Sequence, residues 1–465
     1  MSQILWQPSQ ARIATSNLTH FTEKLSQTTH TSFPDYQALH EWSIEHLEAF
    51  WEFFLDYTRV IYSKRHTEVL SSHRMPGARW FTGMELNYAE NLLRHDTDGV
   101  AIRAFVEADQ TTGRPAHVRE LSFAELRTLV ARCAKALAKN GITRGDRVAG
   151  YVANVPEAVV ACLACASLGA VWSSASPDFG LEALCDRFGQ VQPRVVFAST
   201  HYRYGGKTFS TKKVVQELKT RLPGVERVIA IPYPVDGSEA GGDVMWEDFL
   251  AEGEDAGLKF EQVPFEHPLF ILFSSGTTGA PKCMVHGTGG TLLQHRKELQ
   301  LHCDLKAGDR LLFFTTCGWM MWNWQLSALS LGATIYLFDG NPGHPALSAI
   351  WQVVDQNAVT HFGTSGRFLE SCMKAHPPLS RAALGSFARL RTLMYTGSPL
   401  SVDGFRWVYQ NIKTDLHLAG ISGGTDIVSC FVLGNPNLPV RAGEIQCRGL
   451  GVDVVALDDA GEVLE

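Results

Sequence analysis

The stretch Phe270-Ile-Leu-Phe-Ser-Ser-Gly-Thr-Thr-Gly-Ala-Pro-Lys282 holds the densest chemistry in the chain. An apolar run suited to a buried strand passes into a loop of small and hydroxylated residues and ends on a lysine. Gly276 and Gly279 permit a tight turn and a close backbone approach to a ligand. Ser274, Ser275, Thr277 and Thr278 add hydroxyl donors, successive backbone N–H groups can form an anion nest, and Lys282 supplies a point charge. That combination suits a polyphosphate. It is not the Walker loop, because G-x-x-x-x-G-K-[ST] is not matched.

Further polar or aromatic stretches each follow an apolar, strand-like run. Thr316-Cys-Gly-Trp-Met-Met-Trp-Asn-Trp324 places Trp319, Met320 and Met321 after one such run. Gly397-Ser398-Pro399 follows a second, and Ser422-Gly-Gly-Thr-Asp426 a third. Asp426 is a hard oxygen ligand of the kind Mg²⁺ prefers. Basic residues with small neighbours occur at Asp186-Arg187 and at Arg203-Tyr-Gly-Gly-Lys207. Some motifs lead nowhere. Asp178-Phe-Gly180 has no kinase signature beside it, and Gly363-Thr-Ser-Gly366 is not G-x-S-x-G. Cys162 and Cys165 form one C-x-x-C inside an apolar helical run, which points to packing rather than metal.

The elements that must position these stretches alternate. Ser122-Phe-Ala-Glu125 is a capping box that opens a helix with Leu126, Val130, Cys133 and Leu137 on one face. Strands are expected at 147–154, near Val171, at 194–198 and at 227–231, with helices between them. A second series is expected at 269–273, 310–316, 333–339, 359–364, 391–396 and 416–421. Such alternation implies an α/β fold with doubly wound parallel sheets, whose ligands sit at the carboxyl ends of the strands. The segment from His40 to Tyr62 has helical apolar spacing. The expected division is a helical N-terminal extension over 1–95, a first α/β subdomain over 96–240, a second over 241–430 and the start of a β-rich subdomain over 431–465.

At 465 residues the chain exceeds one compact core. Its formal charge of −7 argues against non-specific nucleic-acid binding. The longest apolar stretch, Ala158 to Trp172, is short for a membrane span and is expected to form a buried helix and a strand. The N-terminus has no signal-peptide pattern, and the ten scattered cysteines suit a reducing cytoplasm.

The Ser274–Lys282 loop resembles the phosphate loop of the adenylate-forming enzymes, the acyl-CoA synthetase superfamily. The segments Trp80-Phe-Thr-Gly83 and Leu86-Asn-Tyr-Ala-Glu-Asn91 are similar to the N-terminal entry of its acetyl-CoA synthetase subgroup. The resemblance implies small-molecule substrates, ATP and coenzyme A, with Mg²⁺. It implies that Ser274, Ser275, Gly276, Thr277, Thr278, Gly279 and Lys282 bind the nucleotide phosphates, with Thr277, Lys282 and Thr425 taking part in catalysis. Gly397-Ser398-Pro399 looks like the Gly-Glu-Pro segment that packs on adenine, with serine in place of the acid. Ser422, Gly423, Gly424 and Thr425 would complete the nucleotide site, and Asp426 stands where the family has a Mg²⁺-binding glutamate. Thr364 and Ser365 are expected to border that site. Arg187, Arg203 and Lys207 would receive the phosphates of coenzyme A.

By the same resemblance Trp319, Met320 and Met321 line the acyl pocket. Gly423 stands where the acetyl-specific enzymes carry a tryptophan, which implies an enlarged pocket and acetoacetate as the acid. The family's ribose-binding aspartate, hinge and small C-terminal domain lie beyond Glu465, so the chain is expected to be an N-terminal portion with impaired overall turnover. Two alternatives stay open: a ligase for another short or branched acid, and a non-catalytic nucleotide-binding protein.

Overall fold

The computed structural model describes residues 2–108, 113–234, 241–254, 257–274, 279, 281–379 and 384–464. Two seven-stranded sheets form its centre. The first runs, edge to edge, through Val244–Met245, Arg227–Ile231, Val195–Ser199, Arg147–Tyr151, Val171–Ala175, Pro268–Ser274 and Lys282–Gly287. The second runs through His417–Gly420, Thr392–Thr396, His361–Ser365, Arg310–Phe313, Thr334–Asp339, Val100–Val106 and Ala116–Ser122. Neighbours are parallel in both sheets except at one edge of each, where a hairpin adds the last strand antiparallel. The expected α/β class with parallel sheets is what the chain adopts.

The sheets interleave along the sequence. Val100–Val106 pairs with Thr334–Asp339 of the second sheet, while Pro268–Ser274 pairs with Val171–Ala175 of the first. The chain therefore enters the second sheet, leaves to build the first, and returns. A single boundary near residue 240 does not describe this path. Strand propensity marks where strands lie, but which strands pair is set by non-local packing: Thr334–Asp339 lies between Arg310–Phe313 and the much earlier Val100–Val106.

Local signals explain the elements. Ser122 and Glu125 make the reciprocal capping-box bonds that start helix Phe123–Lys139, and its expected apolar face is buried. Helix Pro156–Ser167 is buried on every side, as its nearly all-apolar composition requires, with Glu157 paired to Arg119. Cys162 and Cys165 pack within it, and burial pushes both thiols well above their ordinary range. The segment expected as one helix from His40 to Tyr62 forms two, Tyr36–Glu45 and Leu47–Tyr57, broken at His46 (φ −121°, ψ 53°). Phe21 on the preceding helix Asn17–Thr29 meets Phe50, Phe53, Phe54 and Tyr57 edge-on, with centroids 5.1 to 6.0 Å away. That aromatic cluster packs helix Asn17–Thr29 against helix Leu47–Tyr57.

The last described segments are short strands. Ser422–Gly424, Ser429–Leu433 and Cys447–Arg448 form a three-stranded antiparallel sheet beside the second large sheet. No helix among the described residues is long and apolar enough to cross a membrane.

Candidate active site

A cavity of about 520 Å³ opens beyond the carboxyl ends of Arg310–Phe313, Thr392–Thr396 and His417–Gly420. Parallel strands place their ligands there because loops diverge at that edge. One wall is Trp319, Met320, Met321 and Trp324, from the turn and helix Met320–Leu326. The Phe313 ring holds Trp319 and Trp324 edge-on at 6.0 and 5.9 Å. The opposite wall is Tyr395–Leu400, and the third is Ile421–Thr425 with Ser429 and Cys430. Three stretches expected from sequence to share a site therefore do share one.

Gly397 has φ +77°, a conformation open to glycine, and a Cβ there would lie 3.6 Å from the Trp319 ring. Ser398 lines the cavity, and its hydroxyl oxygen is buried without a hydrogen-bond partner. Thr364 is fully buried with an unpartnered hydroxyl. Ser365 instead caps helix Gly366–Met373 by accepting the Phe368 N–H at 3.1 Å. Neither Thr364 nor Ser365 is part of the cavity wall.

Ser274 closes strand Pro268–Ser274 and stands in register with Lys282, the first residue of the antiparallel return strand. The lysine is thereby placed at the mouth of the loop, where it is exposed. Gly279 is exposed, with nothing within 4 Å of where a Cβ would sit. Ser275, Gly276, Thr277 and Thr278 lie outside the described residues. The turn Thr425–Ile427 packs against both strands of this hairpin. His286, on the return strand, is buried beside Thr425 and Asp426, with its Nε2 unpartnered; burial holds its imidazole below the usual histidine range. The hairpin thus joins Lys282 to the Thr425–Asp426 segment. Sequence reasoning missed His286.

Asp426 is exposed and makes no ion pair among the described residues. No group of three or more metal-ligating side chains exists among the described residues. A single carboxylate without an ion pair, beside the hairpin that carries Lys282, fits Mg²⁺, which takes one or two carboxylates and draws its other ligands from substrate phosphates and water.

Gly423 lines the cavity, and a second reason for its glycine adds to the expected one. A Cβ at this position would overlap the Ser429 carbonyl and stand 2.5 Å from Cys430 Cα, on the adjacent strand. The missing side chain is demanded by close backbone approach, not only by room for substrate.

The basic residues expected at coenzyme A are dispersed. Arg187 stacks over the rings of Phe179 and Phe273, 4.7 and 5.7 Å away, and donates to the Ala183 carbonyl at 2.8 Å. Arg203 is buried in the hairpin of His201–Tyr204 and Lys207–Ser210, near Tyr233. Lys207 is exposed on the same hairpin. The Gly205 and Gly206 N–H groups donate to the buried carboxylate of Glu107 at 3.0 and 2.7 Å. None of the three basic residues lines the cavity.

Comparison with known proteins agrees with this geometry. Residues 104–465 match the family model described as AMP-binding enzyme, and residues 36–92 match that of the acetyl-coenzyme A synthetase N-terminus. The acetoacetyl-CoA synthetase of Mus musculus is 41% identical over 99% of this chain and 69% of its own length. The acetoacetyl-coenzyme A synthetase of Rhizobium meliloti (strain 1021) is 44% identical over 98% of this chain and 69% of its own. The solved structure of acetoacetyl-CoA synthetase from Streptomyces lividans superposes with a TM-score of 0.91 at 43% identity, covering 99% of this chain and 71% of that one. With its AMP-binding core, its N-terminal helices and its cavity, the chain belongs to the AMP-binding enzymes and, within them, to the acetoacetyl-CoA synthetases.

Proposed function

We propose that this chain serves an ATP-dependent acid–thiol ligation that converts acetoacetate and coenzyme A to acetoacetyl-CoA. A carboxylate is a poor electrophile, and adenylation gives it a leaving group. An acetoacetate oxygen attacks the α-phosphorus of ATP, and pyrophosphate departs. The coenzyme A thiolate then attacks the acyl carbon of acetoacetyl-AMP, and AMP departs. The protein's part in the first step is positioning and charge neutralisation.

These roles are assigned from the family resemblance, with the positions of the described residues in support. Lys282 and the loop that begins at Ser274, with Thr277 and Thr278, hold the β- and γ-phosphates. Thr425 orients the α-phosphate, and Gly397, Ser398 and Pro399 receive the adenine. Asp426 would hold Mg²⁺, which neutralises phosphate charge when bound. Trp319, Met320 and Met321 enclose the acyl group. Lys207, exposed on its hairpin, is the proposed phosphate contact for coenzyme A, while Arg203 supports the hairpin from within and Arg187 stays on its aromatic stack. All ten cysteines are free thiols, which supports a reducing, cytoplasmic setting.

The observation that carries the proposal is the cavity itself. Its aromatic and methionine wall is continuous with both Gly397–Pro399 and Ser422–Thr425, so an acyl group and a nucleotide can be joined inside it. The test is calorimetric titration with a non-hydrolysable acetoacetyl-adenylate mimic and its acetyl counterpart. Tenfold tighter binding of the acetoacetyl compound, about 1.4 kcal/mol, is expected. Equal binding would overturn acetoacetate as the preferred acid, and absence of binding would overturn the nucleotide site.

A further inference from the structure

Glu298 is fully buried directly behind the acyl wall, and neither the sequence nor the family assignment gives it a role. It opens a π-helical turn, Glu298–His302, that continues helix Thr288–Lys297. Such turns add a residue to the helix and commonly occur at functional sites. Glu298 Oε2 accepts the Trp324 Nε1–H at 2.8 Å. Its Oε1 accepts the Ser429 hydroxyl and the Cys430 backbone N–H, the latter at 3.2 Å. All three donors belong to residues that line the cavity.

The preceding residues reinforce this grip. Fully buried Lys297 attracts the Glu298 carboxylate and donates to the Leu450 carbonyl at 3.0 Å. His295, three residues earlier on the helix, bonds the Val428 carbonyl at 2.7 Å and the Ser327 hydroxyl at 2.8 Å. Residues three apart lie on one helix face, so a single face holds Val428, Ser429 and Cys430. Val428 adopts a left-handed conformation (φ 49°), and the strand Ser429–Leu433 starts immediately after it. This strand presses its backbone into the space a side chain at 423 would need.

We infer that Glu298 is a positioning residue for acyl selectivity, holding Trp324 and the Ser429–Cys430 backbone so that the cavity accepts a four-carbon 3-oxoacyl group. The inference rests on the acetoacetate reading above. The carboxylate also engages two donors of the wall, the Trp324 indole N–H and the Ser429 hydroxyl, so neither is free to bind the acyl group. Selection at this wall then works by shape and length. A glutamine in place of Glu298 keeps the shape but has one acceptor oxygen, so at least one of the three donors loses its partner and the wall relaxes.

The experiment is the two-mimic titration on the wild-type chain and on Glu298→Gln, with thermal melts of both. If Glu298 positions the wall, the ratio of acetoacetyl to acetyl affinity falls by about tenfold in the variant. A merely structural role weakens both mimics alike and leaves the ratio unchanged, which overturns the inference. If Glu298→Gln does not fold, Trp324→Phe and Ser429→Ala each remove one donor and must each lower the ratio. An unchanged ratio in both overturns it equally. A wild-type chain without preference is a separate outcome: it removes the acetoacetate reading, and this inference falls with it.

Discussion

Tyr233 donates its hydroxyl to Asp339 Oδ2 at 2.8 Å, deep between the two large sheets. Tyr233 follows the strand Arg227–Ile231 of the first sheet, and Asp339 ends Thr334–Asp339 of the second. The other oxygen of Asp339 accepts the Asn154 N–H at 2.8 Å. One carboxylate therefore ties both sheets just below the level of the site loops.

That tie makes stability depend on pH. Burial pushes the Asp339 carboxyl up to about 6 from an ordinary 3.8, against the pull of the Asn154 and Tyr233 hydrogen bonds; Glu107 and Asp178 add to the rise. Between those values the folded chain keeps a proton that the unfolded chain has released. This group's contribution is therefore full below the unfolded value and is lost as pH rises through 6, a change on the order of 3 kcal/mol at 1.36 kcal/mol per unit. Asp339→Asn is expected to flatten the stability slope across that interval, as measured by urea unfolding at several pH values.

Gly423→Ala tests the backbone approach. Its methyl would collide with Ser429 and Cys430, both held by Glu298. We expect a loss of ~2–3 kcal/mol in stability by denaturant titration, in the range of overpacked cores, and weaker binding of both acyl-adenylate mimics. If position 423 were merely open space, alanine would leave stability unchanged.

Lys282 stands opposite Ser274 on the return strand of the hairpin. Lys282→Met is expected to weaken ATP by about tenfold while leaving AMP within about twofold, because its charge meets the terminal phosphates. Parallel titrations with the two nucleotides distinguish this from a general disturbance of the hairpin.

Asp426 has no competing cation among the described residues. Asp426→Asn should abolish the strengthening of ATP binding by Mg²⁺, while binding of the acetoacetyl-adenylate mimic, which lacks the β- and γ-phosphates, changes by less than about threefold. Calorimetry with and without Mg²⁺ gives both readouts.

His286 is buried on the return strand that packs against the Thr425–Ile427 turn. His286→Ala is expected to weaken ATP and the adenylate mimic together by about fivefold, since it releases the turn rather than one phosphate contact. Loss confined to ATP would contradict that role.

The sequence by itself determined the local elements and the chemistry written in consecutive residues. The capping box at Ser122, the parallel strands from Arg147 onward and the Gly/Ser/Thr loop ending at Lys282 are all legible within a window of a few turns. So were three of the cavity's stretches, because polar or small residues directly follow apolar strands and parallel sheets bring such ends together. Tertiary structure alone decided which sheet each strand joined, since register and edge pairing are non-local. It also decided which charged residues turned inward. Within His295-Arg-Lys-Glu298 the charges look like a solvated helix face, yet all four residues are buried, and Glu298 meets Trp324, Ser429 and Cys430 only after the chain has folded back on itself. Glu107 likewise turns inward and accepts the Gly205 and Gly206 N–H groups. Burial and hydrogen-bond partners of this kind are set by segments distant in the chain, so no local pattern records them.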